Sequence, residues 1–184
     1  MNLKKLINLI KKTYKSKKIN LHEPNLDTLD ILSLKQNIQS KFVSTAGRDT
    51  IQFENKIKKL TSSKYSIAVN SGTSGLFLSL LAIGVKKNDE VLVPGFSFIA
   101  SANSVLYANA KPHFVDITLN DLGIDFLKLE NYIKKIGKKV NKKLINKKTN
   151  RQIKALMLVH VFGHAANIES AIKFCKKYNL KLIE

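Results

Sequence analysis

A short glycine-rich stretch carries residue types that could hold an anion. The segment VNSGTSGLFLSLLAIG (69–84) runs from β-like residues through Gly72 and Gly75 into a long apolar stretch. Glycine lets the backbone approach a ligand closely, and the free N–H groups at a helix start favour negative charge. Thr73 and Ser74 add two hydroxyl groups. The stretch predicts either a phosphate site or a capped, tightly packed helix start, and it favours neither by itself. The lysine of GxxxxGK[ST] and the third glycine of GxGxxG are both absent.

A second stretch, PGFSFIASAN (94–103), offers an aromatic side chain. Phe98 lies four residues after Pro94, where its ring could lie over a ligand at the next helix start. A single aromatic residue is more often part of a core, and that interpretation stays open.

A third stretch, HVFGHAAN (160–167), contains two of the four histidines. His160 and His164 are four residues apart, but Gly163 lies between them and the glutamate of HExxH is absent. We therefore predict no metal site, and a structural role is the commoner one for a histidine in such a loop.

These three stretches need regular elements to position them, and apolar periodicity predicts strands that alternate with helices. Alternation implies crossover connections and a largely parallel sheet covered on both faces, with ligands at the carboxyl ends of the strands. The predicted fold class is therefore α/β. The predicted strands are 65–71, 89–95, 111–117, 153–163 and 180–184, and the predicted helices are 75–84, 97–110, 125–137 and 168–179.

The remaining segments are predicted to be peripheral. The helical pattern fades after Ile136 in the lysine- and asparagine-rich segment 134–152, which predicts a solvated loop or an extended helix end. Residues 1–45 are predicted to form an N-terminal helical arm, because two short helical segments bury little by themselves. Residues 46–184 would form the α/β domain.

Composition restricts the class of partner. The formal net charge of +19 raises the possibility of a nucleic-acid partner, but the excess is lysine, and arginine occurs only at Arg48 and Arg151. Lysine is a diffuse phosphate contact, whereas groove readers rely on arginine and stacking aromatics, so the pattern disfavours nucleic acid. A single cysteine, Cys175, excludes an internal disulfide and fits a reducing cytoplasm.

The sequence also bears on membrane association. No apolar run reaches the roughly 18 residues needed to span a bilayer. The basic N-terminal segment 1–18 has helical apolar spacing, so it could lie on an acidic membrane, but a surface helix with solvated lysines is the plainer interpretation. We therefore expect no membrane partner.

The order of NSGTSGL, DEVLVPGFSFIASANSVLYANAKPHFVDI and LVHVFGHAANIESAIKFCKKYNLKLIE resembles the DegT/DnrJ/StrS family of pyridoxal-phosphate-dependent sugar aminotransferases. NLHEPN and KFVSTAG resemble its branch that makes amino sugars of the legionaminic acid type. The resemblance implies an incomplete large domain of the type I aminotransferase fold. It also implies a homodimer that transfers an amino group from glutamate to a nucleotide-linked keto-sugar.

The resemblance assigns roles to particular residues. Gly72, Thr73 and Ser74 would hold the cofactor phosphate, and Phe98 would stack on the pyridine ring. It also places Asn103 and His164 in the cofactor and substrate pocket, and it places Ser44, Thr45 and Arg48 near the active-site entrance.

The resemblance also identifies what is missing. Relatives continue with an aspartate that pairs with the pyridinium nitrogen and, further on, the lysine that anchors the cofactor covalently, whereas this sequence ends at Glu184. None of the present residues is therefore a catalytic candidate. We expect the chain alone to bind pyridoxal phosphate weakly or not at all, and to lack transaminase activity. A noncatalytic interaction fragment and a lysine-rich nucleic-acid-binding domain remain the alternatives.

Overall fold

The structure of the chain is a computed structural model that describes residues 2–15, 19, 24–44 and 47–184. The chain divides by internal contacts into two compact units, 1–68 and 69–184. The predicted division into an N-terminal helical arm (1–45) and an α/β domain (46–184) stays a prediction.

The first unit contains three helices, α1 (Leu3–Tyr14), α2 (Thr28–Ser40) and α3 (Arg48–Thr61). Helix α2 begins at a capping box, in which the Asp27 carboxylate accepts hydrogen bonds from the N–H groups of Leu29 and Asp30. None of the three helices has a buried residue. No helix in the described ranges is long and apolar enough to cross a membrane.

The second unit is built on a six-stranded mixed sheet. The strands are β1 (Glu90–Pro94), β2 (Lys111–Val115), β3 (Gly137–Val140), β4 (Lys143–Asn146), β5 (Gln152–Met157) and β6 (Lys181–Ile183). Their order is β2-β1-β5-β4-β3, with β6 also paired to β5. The pairs β1/β2, β1/β5 and β5/β6 are parallel, whereas β3/β4 and β4/β5 are antiparallel.

Four helices cover both faces of this sheet, as predicted. They are α4 (Gly72–Ala82), α5 (Ile99–Tyr107), α6 (Phe126–Ile136) and α7 (Ile168–Tyr178). Successive side chains of a strand point to opposite faces, so Val91 and Val93 pack in one core with residues of α4 and α5. Leu92 packs in the other core with residues of α6 and α7. The predicted α/β fold class is confirmed.

One predicted strand is wrong. Residues 65–69 have no ladder partner among the described strands, and the Ala68 N–H instead donates to the Glu54 carboxylate at 2.8 Å. Ser71 serves as the N-cap of α4. The apolar alternation of YSIAVNS was a real β signal, but a strand forms only where a neighbouring backbone accepts its hydrogen bonds.

The prediction of a solvated loop or helix end after Ile136 is also wrong, because these residues form the β3–β4 hairpin. Asn141 and Lys142 make its two-residue turn with φ of 48° and 63°. Positive φ at both positions matches the twist of a hairpin. Leu144 and Asn146 are buried, whereas the lysines of the hairpin are exposed to solvent.

A buried carboxylate fixes this hairpin to the amino end of β1. Glu90 is only 3% exposed. Its carboxylate accepts hydrogen bonds from Asn146 Nδ2 at 2.9 Å and from Thr149 Oγ1 at 2.5 Å, and it pairs with His113 Nδ1 at 2.8 Å. Buried charge is tolerated only when its hydrogen bonds are satisfied, and here three partners satisfy it.

Candidate active-site cleft

A cleft of about 560 Å³ lies in the second unit where two of the three predicted ligand loops meet. It brings together the start of α4, the start of α5 and the residue after β6. This is the carboxyl edge of the parallel strands, where α/β proteins bind ligands. The lining residues are Gly72, Thr73, Gly75, Leu76, Ser79, Phe98, Ala100, Ser101 and Glu184.

The start of α4 supplies the hydrogen-bond donors of the cleft. Ser71 Oγ accepts from the Ser74 N–H at 3.2 Å, so this cap holds the first turn in place. The N–H groups of Gly72 and Thr73 precede the first intrahelical hydrogen bond, which runs from the Gly75 N–H to the Ser71 carbonyl, so α4 does not use them itself. A Cβ built on Gly72 would meet no heavy atom within 4 Å, which shows that this position faces open space. The geometry suits an anion held against the backbone.

Phe98 supplies a flat apolar surface at the same cleft. It is the N-cap residue of α5 and is 76% exposed, so it is not the core aromatic that a single phenylalanine usually is. Ser97 Oγ donates to Ser101 Oγ at 2.8 Å, which ties the loop before Phe98 to the first turn of α5.

The third loop reaches the cleft through His160. The Ala166 N–H donates to His160 Nδ1 at 3.0 Å, so the neutral ring carries its proton on Nε2. That nitrogen lies 2.8 Å from Glu184 Oε1, and it therefore holds the carboxylate that lines the cleft. The residue type and spacing of His160 did not reveal this link, because its partner is 24 residues away.

The other predicted site residues stand apart from this lining. Ser74 contributes its backbone to the cap, while Asn103 is half-buried within α5 and His164 is exposed after the short 3-10 helix Val161–Gly163. Within the described part of the second unit, none of the three lines the cleft. Their roles in a pocket stay predictions.

The predicted entrance residues belong to the first unit. Ser44 follows α2 and lines a cavity of about 290 Å³, and Arg48 begins α3 and lines another of about 410 Å³. Thr45 lies outside the described residues. A role at a substrate entrance stays a prediction for all three.

Fold and cleft together define a class. The molecule is an α/β protein whose ligand edge suits a phosphate group attached to a flat ring, since backbone donors and an exposed aromatic line one cleft. The chain belongs to the DegT/DnrJ/EryC1/StrS aminotransferase family, whose sequence model matches residues 24–184. The predicted family is confirmed, and membership of its legionaminic acid branch stays a prediction.

Curated relatives carry names of sugar aminotransferases. The chain is 32% identical over 166 residues to GDP-perosamine synthase of Vibrio cholerae, which covers 90% of this chain and 41% of that protein. It is 33% identical over 138 residues to dTDP-3-amino-3,6-dideoxy-alpha-D-galactopyranose transaminase of Aneurinibacillus thermoaerophilus, covering 75% of this chain and 34% of that protein. The chain thus spans about two fifths or less of the length of these relatives.

Solved structures show the same fold. The aminotransferase PseC of Helicobacter pylori, involved in pseudaminic acid biosynthesis, matches 90% of this chain and 40% of its own with a TM-score of 0.71 and 26% identity. GDP-4-keto-6-deoxy-D-mannose-3-dehydratase of E. coli, solved with bound hydrated PLP, matches 90% of this chain and 40% of its own with a TM-score of 0.69 and 24% identity. The fold is that of type I aminotransferases, of which the chain spans part.

Proposed function

We propose that this chain forms the phosphate- and ring-binding part of a pyridoxal-phosphate-dependent aminotransferase for nucleotide-linked keto-sugars, in amino-sugar or surface-polysaccharide biosynthesis. One observation carries the proposal: the start of α4 and the exposed ring of Phe98 line the same cleft. The names of the family relatives support the substrate class, since they include GDP- and dTDP-linked sugars.

The residues of the cleft fit the cofactor. The N–H groups of Gly72 and Thr73 would donate to phosphate oxygens, and the Thr73 hydroxyl would add a further donor. The Phe98 ring would stack on the pyridine ring and exclude water from one of its faces. When bound, pyridoxal phosphate supplies the electron sink that lets an amino group move between glutamate and a keto-sugar.

Three further properties belong to the proposal. The amino donor is glutamate, and the working enzyme is a homodimer. The buried thiol of Cys175 fits a reducing compartment, so we place the reaction in the cytoplasm.

Binding of pyridoxine 5′-phosphate tests the phosphate site. This compound lacks the aldehyde, so it cannot react with the many surface lysines, and calorimetry can compare it with pyridoxine. We expect the phosphorylated compound to bind more tightly, and Gly72→Ala to weaken it by about tenfold or more, because the added methyl group enters the space facing Gly72. Equal affinity for the two compounds would refute the site.

A pair of aromatic variants tests the ring-binding surface. Phe98→Ala should weaken pyridoxine 5′-phosphate by about fivefold, since aromatic pairs contribute roughly 1 kcal/mol beyond their buried area. Tyr107→Ala is the matched control, because Tyr107 is an exposed aromatic at the other end of α5. Equal losses in the two variants would show that Phe98 has no specific role.

Activity tests the remaining part of the proposal. Among the described residues that line the cleft none is a lysine, so none can anchor the cofactor covalently. We therefore expect the 184-residue polypeptide by itself to form no amino sugar from a nucleotide-linked keto-sugar and glutamate. Turnover above the rate of free pyridoxal phosphate would contradict this expectation.

A further inference from the structure

Two phenylalanines outside the cleft form an exposed aromatic pair at the same edge of the sheet. Phe96 follows β1 and Phe162 follows β5, and these strands are parallel neighbours. The ring centroids are 6.2 Å apart with an interplanar angle of 64°. Phe96 is 44% exposed and Phe162 is 71% exposed, so neither ring is there to fill a core.

Phe162 adopts an unfavourable backbone conformation to hold this position. Its φ is 53°, in the left-handed region, and Gly163 follows with φ of 80°. Of the described non-glycine residues with positive φ, Phe162 is the only aromatic one, whereas asparagine, which tolerates this region, occurs five times. An exposed side chain in a strained conformation gains little from packing, and such strain is concentrated at functional sites.

Both rings are connected to the cleft. Phe96 lies two residues before Phe98, whose ring lines the cleft. Phe162 lies two residues after His160, which holds the Glu184 carboxylate of the cleft wall at 2.8 Å. The pair is therefore placed beside the site, beyond the residues that would contact the cofactor.

We propose that Phe96 and Phe162 form an aromatic shelf on which the nucleobase of the nucleotide-linked sugar stacks. The assignment rests on the proposed function. The reacting sugar must meet the cofactor inside the cleft, so the distal end of an elongated substrate lies outside it, where the shelf is. Stacking accepts any base because every base has a π-face, and relatives are named for both purine- and pyrimidine-linked sugars.

Phe162→Gly separates function from structure. Glycine relieves the left-handed strain, so the variant should keep or raise the thermal midpoint, by up to about 4 °C. Loss of the ring should weaken GDP and dTDP by about fivefold to a hundredfold, the range measured for stacking of one base on an aromatic side chain. Saturation-transfer NMR at about 0.3 M NaCl, where loose phosphate–lysine contacts are screened, should show transfer to H8 of guanine and H6 of thymine.

Two further variants complete the experiment. Phe96→Leu keeps an apolar side chain without an aromatic face, and it should also weaken both nucleotides. Tyr107→Leu removes an exposed ring at the far end of α5, and it should leave both affinities unchanged. Unchanged nucleotide affinity in Phe162→Gly and Phe96→Leu, or saturation transfer to the ribose protons alone, would overturn the shelf.

Cofactor binding distinguishes this proposal from the one on which it rests. Pyridoxine 5′-phosphate should bind to Phe162→Gly as it binds to the unsubstituted chain, because Phe162 lies outside the cleft lining. Shelf-dependent nucleotide binding without any binding of pyridoxine 5′-phosphate would refute the aminotransferase site and leave the nucleobase shelf standing. Binding of pyridoxine 5′-phosphate without shelf-dependent nucleotide binding would refute the shelf alone.

Discussion

At the scale of single residues, Glu90 is a buried carboxylate that needs hydrogen bonds from its neighbours. Its carboxylate is 3% exposed and depends on Asn146, Thr149 and His113 for its hydrogen bonds. Glu90→Gln replaces one of the two accepting oxygens by an amide N–H₂, which meets the donor of either Asn146 or Thr149, so we expect a loss of about 1–3 kcal/mol in the free energy of unfolding. Urea denaturation of the two proteins measures this difference in the free energy of unfolding. Asp116→Asn, in an exposed pair with Lys128, is the control and should hardly move the midpoint.

The same carboxylate makes stability depend on pH. Burial alone would raise the pKa of Glu90, but hydrogen bonds from His113, Asn146 and Thr149 outweigh it and lower the pKa. A carboxyl group with a lower pKa in the folded chain stabilises the fold above its unfolded pKa, and this contribution disappears as the pH falls through the folded pKa. We expect stability to fall on acidification below the ordinary glutamate range, and to fall less in Glu90→Gln. Parallel pH profiles for the two proteins would contradict this assignment.

Cys175 gives a second residue-scale prediction. The thiol is buried within α7, and burial raises its pKa from 9.0 to about 11. At pH 8 the thiolate fraction falls about a hundredfold, so thiol reagents should modify the folded chain at least that much more slowly than the urea-unfolded chain. The release of thionitrobenzoate measures both rates. Similar rates for folded and unfolded chain would show that α7 opens readily.

At the scale of elements, a substitution in the β3–β4 turn should raise the stability of the fold. Lys142 has φ of 63°, in the region that favours glycine, and its backbone carbonyl, which glycine would keep, accepts from Asn179 Nδ2 at 2.8 Å. Lys142→Gly should therefore stabilise the second unit by about 0.5–1 kcal/mol in urea denaturation. Lys143→Gly, at the first residue of β4, should destabilise the second unit, because glycine disfavours the extended strand conformation that this position adopts. Destabilisation by both changes would mean that this turn is not strained.

The elements also show which features of the fold the sequence could predict. Buried parallel strands such as β1 and β5 are short apolar runs bounded by turn residues, and such runs predict them, although the run 153–163 extends beyond β5, which ends at Met157. The sequence does not predict the β3–β4 hairpin, because its turn is Asn-Lys rather than Asn-Gly and its buried positions, Leu144 and Asn146, stand among lysines. Segment 65–71 has the pattern of a strand without forming one, because local alternation contains no information on whether a neighbouring strand is present.

The sequence predicts part of the cleft, because some of its residues lie in loops that follow or precede recognisable elements. Gly72, Thr73 and Phe98 lie in loops whose positions follow from strand order, and the cleft contains all three. Glu184 and its contact to His160 required the folded chain, because residues 24 apart are brought together only by the parallel pairing of β5 with β6.

At the scale of the whole molecule, the net charge of +19 should itself limit stability. Ion pairs in the described ranges involve few of the lysines, among them Lys128, Lys134 and Lys177. Self-repulsion of a highly charged chain opposes the compact state and is screened by salt. We expect the thermal midpoint to rise between about 10 mM and 150 mM NaCl, a range over which the Debye length falls from about 30 Å to 8 Å.

Two salts separate screening from binding of a particular ion. NaCl and KCl screen equally, so they should raise the midpoint by the same amount at equal ionic strength. A midpoint that falls with either salt would mean that attractive charge pairs outweigh the repulsion. Phosphate also stabilises folded proteins by exclusion from their surface, so a gain beyond both salts at equal ionic strength would indicate occupation of the anion site at α4 only if Gly72→Ala removes it.

The pairing around β5 keeps the β3–β4 hairpin apart from the loops that line the cleft. On one edge of this strand, β4 pairs with Gln152 and Ile153, whereas β6 pairs with Ala155 to Met157. The hairpin and the ligand loops are thus attached to opposite halves of a single strand. We expect residues 137–151 to accept changes of length and of exposed surface without altering the register that sets the cleft, provided that the contacts to Glu90 and the burial of Leu144 are kept.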